Sequence, residues 1–413
     1  MFFKVKIALL SLFLLMACSQ DKMPLPSPAV ESFSFGANDT SYVELYPVWD
    51  QSTLGYAFSE PADISMGLDG LIFVADKGND RVLVLTKAGE RVTRDGLGGI
   101  TGIPAPTGVT IDSKLNVLVV NGSNEIFCWN QYLNYAELDS IADSAVFFDP
   151  AKNDTVHLTL EQYIQMAVNE EEALPRFRAF LFEKDDAAIA AVEQVYTFYR
   201  DPENNAEFND IAAGEFGSDQ LYVTESNNHR IAQIALIPRL AFRNRFGSVV
   251  MQYAGVFVKD VVTVGSGAGT ADEPQGVMMD GFGNLYFTQL GGNFRVQKLL
   301  AESFAPQYVL YQHEIMDLGR FKSPYDLALD DVNNIFVVDA EQQRVFKFFN
   351  SGPYAGDLAD IGEKGLATAT FADPRGIIAA ENIIYVLESG ENRIRRFQYS
   401  VSDEDLPEVD VEP

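Results

Sequence analysis

Short apolar runs alternate with polar breaks along most of the chain, and between residues 58 and 398 they do so in a repeating frame. One copy runs Phe58-Ser59-Glu60-Pro61-Ala62-Asp63-Ile64, then Ile72-Phe73-Val74-Ala75-Asp76, then Arg81-Val82-Leu83-Val84-Leu85. The frame recurs from Phe321 to Phe348, from Phe371 to Phe397 and from Pro274 to Leu299. Two looser copies start at Pro106, where the Arg is missing, and at Phe208, where the Pro is missing. Runs of about five residues rich in Val, Ile, Tyr and Phe predict short strands. The Gly, Asn and Asp between them suit tight hairpins that need positive φ.

A period of about 45 to 50 residues is long enough for a four-stranded unit. One such sheet cannot cover both of its faces, whereas stacking around a common axis covers them all. The fold predicted is therefore all-β, a six-bladed β-propeller over residues 41–400. The Pro-x-Gly start, the Gly-Asn-(Ile/Leu)-Tyr middle and the Asn-x-Arg-(Ile/Val) end resemble the NHL repeat family, whose members of this length imply six blades. Closure requires the ends to meet, and Tyr42-Val43-Glu44-Leu45-Tyr46 is expected to supply the missing strand of the last blade.

The gap between the second and third copies is about twice the period, which marks residues 132–206 as an insertion. Its pattern predicts helices. Thr159-Leu160-Glu161-Gln162 reads as a capping box opening one through Val168. Leu174 to Phe182 suggests another, and Asp186 caps a third with Ile189, Val192, Tyr196 and Tyr199 on one stripe. Residues 401–413 form an acidic, Pro-containing tail without apolar patterning, which predicts disorder.

The N-terminus has a different character. Lys4 and Lys6 precede an apolar run, Ile7 to Met16, too short to span a bilayer comfortably. It ends in Leu15-Met16-Ala17-Cys18, which resembles a bacterial lipobox. The resemblance implies a signal peptide over residues 1–17, acylation at Cys18, and an extracytoplasmic, outer-membrane lipoprotein. Residues 18–40, rich in Pro and Ser, then read as a flexible tether. Cys128 is the only other cysteine, so no intrachain disulfide is expected in an acylated chain. A formal net charge of −29 argues against a nucleic-acid partner, which needs a basic surface, and against lying flat on anionic lipid, so the membrane is expected to be met through the lipid anchor only.

Two sets of residues carry candidate chemistry. Asp76, Glu225, Asp339 and Glu388, with Asn121 and Gln289 as substitutes, precede Arg81, Arg230, Arg344, Arg393 or Arg295; a feature repeated in nearly every copy reads as structural. More informative is the position after each leading Pro, where the frame is constant and the residue varies: Ala62, Thr107, Asn209, Gln275, Tyr325 and Arg375. These would converge at the channel mouth, and Thr107, Asn209, Gln275, Tyr325 and Arg375 are the candidate ligand contacts. Tyr325 offers a platform and Arg375 a fixed cation.

Peptide-amidating lyases of similar fold hold zinc through histidines near this place, but His157, His229 and His313 all fall outside that register. Lactonases of this fold hold Ca²⁺ through oxygens near the axis, and Asp63, Asn209, Asp210 and Asp326 are the candidate ligands here. The function expected is non-catalytic binding, with a propeller face presented to a protein, peptide or glycan of the envelope. The alternative is a Ca²⁺-dependent hydrolase, lactonase-like, with its site at the channel mouth.

Overall fold

A computed structural model describes residues 41–92, 99–131, 144–149, 154–159, 195–202, 205–243, 249–308, 313–361 and 365–400. Thr40–Val401 form one compact unit. Its strands are β1 (Ser41–Trp49), β2 (Pro61–Met66), β3 (Ile72–Asp76), β4 (Arg81–Leu85), β5 (Ile100–Thr101), β6 (Gly108–Ile111), β7 (Asn116–Val120), β8 (Glu125–Asn130), β9 (Ser144–Asp149), β10 (Asp154–Thr159), β11 (Tyr196–Arg200) and β12 (Phe208–Ala213). They continue with β13 (Gln220–Glu225), β14 (Arg230–Arg243), β15 (Val249–Val262), β16 (Pro274–Met279), β17 (Leu285–Gln289), β18 (Val296–Leu299), β19 (Pro324–Leu329), β20 (Ile335–Asp339), β21 (Arg344–Phe348), β22 (Pro374–Ala380), β23 (Ile383–Glu388) and β24 (Arg393–Ser400).

Six antiparallel sheets follow one another along the chain, β2 to β5, β6-β7-β8-β11, β12 to β15, β16 to β18, β19 to β21, and β22-β23-β24-β1. This is the six-bladed propeller that the repeat predicts. The last blade is completed by the N-terminal strand, with Ser41 opposite Ser400, Tyr42 opposite Tyr399 and Leu45 opposite Arg396. Two termini thus share one sheet, and the ring is closed by hydrogen bonds.

Apolar residues fill the six gaps between neighbouring blades. Ile64, Val74 and Leu83 of the first blade meet Trp49, Tyr385 and Ile394 of the sixth. Phe73, Val82, Val117 and Val119 join the first blade to the second. Comparable layers join the second to the third, the third to the fourth, the fourth to the fifth and the fifth to the sixth. Each fully buried Leu, Ile or Phe contributes about 1.5–3 kcal/mol of transfer free energy, so no blade is stable apart from its neighbours. A buried lysine reinforces the closure: Lys347 Nζ donates to Tyr42 Oη at 3.1 Å and lies 5.1–5.8 Å from the ring centres of Tyr42, Phe336 and Tyr399. Burial pulls its ammonium below the usual lysine range.

The insertion departs from its helical reading where the structure describes it. Tyr196 and Tyr199, expected on a helix stripe, lie in β11, which is the outer strand of the second blade. Phe198 and Tyr199 are buried between the second and third blades, so burial in a sheet outweighs their fit to a helical period. Thr159 closes β10 of a β9–β10 hairpin. The rest of the three expected helices lies outside the described residues, as do the signal peptide, the tether and the acidic tail.

The sequence frame also gave no sign of how far β14 and β15 run. Both are 14 residues long, and β13 pairs with β14 only as far as Ala235. Beyond that point β14 is paired in the sheet with β15 only, from Leu236 opposite Gly255 to Arg243 opposite Val249, and Tyr196 Oη of β11 donates to Tyr253 O at 2.9 Å.

Candidate functional site

The first strand of each blade begins at one end of the central channel, led in by the turn that carries the repeat's proline in five blades and Phe208 in the third. That shared origin brings Ala62, Thr107, Asn209, Gln275, Tyr325 and Arg375 around one cavity of about 290 Å³. All six variable positions of the frame are therefore neighbours in space. Lys77, from the turn after β3, joins them, and the repeat gave no reason to single it out.

The lining is asymmetric. Arg375 lies 3.7 Å from the ring centre of Tyr325, and its Nε donates to Asp373 Oδ1 at 2.8 Å. The guanidinium is thus stacked and anchored on one side, which fixes its direction. Lys77, on the adjoining first blade, is exposed. The opposite wall carries two amides whose nitrogens are engaged with main chain: Asn209 Nδ2 donates to Pro274 O at 3.0 Å, and Gln275 Nε2 to Glu273 O and Pro274 O at 3.2 Å. Their carbonyl oxygens are the ends suited to accept from a ligand's hydroxyls.

Asp63, Asp210 and Asp326 form the floor, one each from the first, third and fifth blades. Each carboxylate binds its own strand and the next blade. Asp63 accepts from Ile64 N and Val109 N, both at 2.7 Å. Asp326 accepts from Leu327 N at 2.7 Å and Ile377 N at 2.8 Å. Asp210 accepts from Val277 N at 2.8 Å and from Ile211 N. The second, fourth and sixth blades carry Gly108, Gly276 and Gly376 at the same position. Bulk is excluded there: a Cβ on Gly108 would lie 2.7 Å from Asp210 Oδ1, and one on Gly276 2.5 Å from Tyr325 O. Aspartate and glycine alternate around the axis, and this alternation is visible in the sequence once the six starts are aligned.

Removal from water raises all three carboxyls. Asp63 is held well above the ordinary range by burial and then by the negative charges of Asp210 and Asp326; Asp326 by burial and then by Asp210. Burial pushes Asp210 up to about 7. Asp63 and Asp326 are buried, whereas Asp210 remains partly open to the channel. It is thus the least covered of the three, and it lines the cavity.

Calcium fits this arrangement poorly. The carboxylate oxygens of Asp63, Asp210 and Asp326 already take main-chain N–H groups from two blades each. Among the described residues, no group of three or more His, Cys, Asp or Glu is placed to hold a metal ion. Of the histidines, His229 lines a neighbouring rim cavity that shares Asn209 and Gln275, where its Nδ1 accepts from Glu273 N at 2.9 Å.

The repeated acid–arginine pairs are only partly realised. Arg81 binds Asp76, Arg393 binds Glu388, and Arg230 binds Glu225, Asp201 and Asp260. Arg344 is exposed, and among the described residues no ion pair joins it to Asp339. Asp339 instead accepts from Lys322 N at 2.6 Å, Ser323 N at 3.1 Å and Gln342 N at 3.0 Å. Main-chain donors on the entering loop do there what the arginine was expected to do. The same loop contact recurs at Asp76 with Ser59 N, at Glu388 with Ala372 N and at Gln289 with Asp272 N.

No family model and no curated relative matches the chain. Similar solved structures include a virginiamycin B lyase from Staphylococcus aureus at 12% identity, with 82% of this chain and 80% of that one covered and a TM-score of 0.42. A gluconolactonase from Xanthomonas campestris shares 10% identity over 89% and 99%, with a TM-score of 0.45. The PQQ-bound aldose sugar dehydrogenase from Streptomyces coelicolor shares 12% over 87% and 98%, with a TM-score of 0.47. This chain is a six-bladed β-propeller on its own sheet order; no comparison assigns it to the NHL family. Likeness at this identity concerns the fold alone.

Proposed function

We propose that the channel mouth is a small-molecule enzyme site for a hydroxyl-rich carboxylate or its lactone, and that the protein works outside the cytoplasm, held by an acyl anchor at Cys18. One observation carries the reading of the site: six different residues from six blades meet in a single cavity, with two cations on one wall, two amide carbonyls on the other and a partly open carboxylate beneath. Cations suit a carboxylate or a developing oxyanion, and amide oxygens suit hydroxyls. A display surface has no need of a recessed floor whose carboxyl titrates near neutrality.

The reaction this set of groups suits is lactone hydrolysis. Asp210 takes a proton from a water as its oxygen bonds to the lactone carbonyl. The ring C–O ester bond then breaks, and the leaving alkoxide receives the proton. Arg375 and Lys77 stabilise the carbonyl oxygen as it becomes negative. No step passes through a metal.

The test is hydrolysis of D-glucono-1,5-lactone followed by acid release. The wild type should exceed the spontaneous rate and be insensitive to EDTA. Asp210→Asn should lower kcat by about 10²–10⁴-fold, the usual range for a lost general base. A wild-type rate equal to the spontaneous one would remove the enzymatic reading, and loss of activity on chelation would restore a metal to the site.

A further inference from the structure

We infer that the substrate of the mouth carries a second sugar residue, linked on its hydroxyl side, and that His229 donates a hydrogen bond to that residue. This rests on the sugar-lactone reading of the mouth. The first observation is where the amide wall leads. Asn209 and Gln275 line the mouth and also a rim cavity of about 340 Å³. A sugar acid held by its carboxylate at Lys77 and Arg375 turns its hydroxyl end to these two amides, so a substituent at that end enters the rim cavity. Glu207, Ser226, Asn227, His229 and Glu273 complete the rim lining. None of them is apolar, and they mix donors with acceptors, which suits hydroxyls that are both. Ser226 stands where the first blade has Lys77, directly after the buried acid of the second strand, so the third blade has a short side chain there in place of a cation.

His229 is the second observation. The turn from the second to the third strand ends in Asp80 in the first blade, His229 in the third and Asn392 in the sixth, with φ of 51°, 53° and 52°. Each accepts from the main-chain N–H just before the next blade's leading proline. Asp80 Oδ1 takes Ala105 N at 2.7 Å, Asn392 Oδ1 takes Glu60 N at 2.7 Å, and His229 Nδ1 takes Glu273 N at 2.9 Å. A short side-chain oxygen meets that structural need, and Asp and Asn tolerate the left-handed backbone well. What the imidazole adds is a second nitrogen. With Nδ1 accepting, the neutral ring carries its proton on Nε2. A protonated ring, whose Nδ1 has Asp272 Oδ1 at 3.0 Å, keeps a proton there too. Nε2–H is a donor in both forms, on a side chain that is one-third exposed and lines the cavity.

That donor selects the ligand class. Glu207 and Glu273 are exposed acceptors that an ammonium group would also satisfy. An N–H sharing the cavity has nothing to give an ammonium, whereas a sugar hydroxyl accepts from Nε2 and donates to a carboxylate.

Calorimetric titration of the protein with D-gluconate and with its 4-O- and 6-O-glucosyl derivatives tests this without turnover. At least one glucosyl acid should bind about tenfold more tightly than gluconate, the scale of one or two added hydrogen bonds. His229→Asn keeps an oxygen for the Glu273 N–H, as Asn392 does for Glu60, and removes the Nε2 donor. It should erase most of that gain, with gluconate affinity and melting as in the wild type. Gluconate binding with no gain from either glucosyl group, or a gain that survives His229→Asn, would overturn this inference and leave the mouth reading standing. Binding of none of the three acids would overturn the mouth reading and this inference with it.

Discussion

Arg375, after the leading proline of a first strand, and Arg344, at the start of a third strand, have opposite meanings in the structure. Arg375 is stacked on Tyr325 and anchored by Asp373 at the edge of the cavity. Arg375→Ala should lower kcat/KM for the lactone by about tenfold or more, the scale of one charge-assisted contact, with little change in melting; a calorimetric titration with D-gluconate should show weaker affinity for the product carboxylate as well. Arg230 is the structural counterpart, with Glu225 and Asp201 buried beside it. Arg230→Ala takes the cation from those two buried carboxylates, leaving Glu225 the Glu207 and Asn228 N–H groups and Asp201 the Tyr199 hydroxyl, and should cost about 3–5 kcal/mol by chemical denaturation. Arg344→Ala should fall within about 0.5 kcal/mol, as surface changes usually do. The variable register was legible because a constant frame makes its exceptions stand out. Lys77 was not, because it lies in the turn after β3, outside the register of variable positions, and only the fold brings it to the cavity.

At the scale of elements, periodicity identified the strands and the closing pair, since alternation and hairpin chemistry are local properties. Closure can be tested at Tyr42, which is buried against Phe336 and accepts from Lys347. Tyr42→Ala opens a cavity between the fifth and sixth blades and should destabilise by about 3–5 kcal/mol, whereas truncating the exposed Tyr46 should not register. Gly276→Ala addresses the axis instead: a methyl 2.5 Å from Tyr325 O forces main chain to move, and a loss of about 1–3 kcal/mol is expected. Local pattern failed at Tyr196 and Tyr199. Their spacing fits a helix equally well, and only the partner strand β8 decides in favour of a sheet. The length of β14 and β15 was hidden for a related reason, because nothing in a hairpin's sequence says where its neighbouring strand stops.

For the whole molecule, the ring makes three aspartates meet that are more than a hundred residues apart in sequence. Their raised values set a sign for pH dependence. Each carboxyl binds its proton more tightly folded than unfolded, where a value near 3.9 is ordinary. Stability from this source is complete below about pH 4 and is lost as pH rises through the folded values, about 7 for Asp210. Melting should therefore fall between pH 5 and pH 8, and Asp210→Asn should flatten that fall even though general repulsion in so acidic a chain remains. Activity should run the other way, with kcat/KM rising through about pH 7 as Asp210 loses its proton. The convergence of six blades on one polar mouth is the claim on which the site rests, and a crystal soaked with D-gluconate tests it most directly. The account predicts the carboxylate between Lys77 and Arg375 and the hydroxyls on Asn209 Oδ1 and Gln275 Oε1. A mouth holding only solvent at saturating gluconate, or the sugar acid bound elsewhere on the propeller, would contradict it.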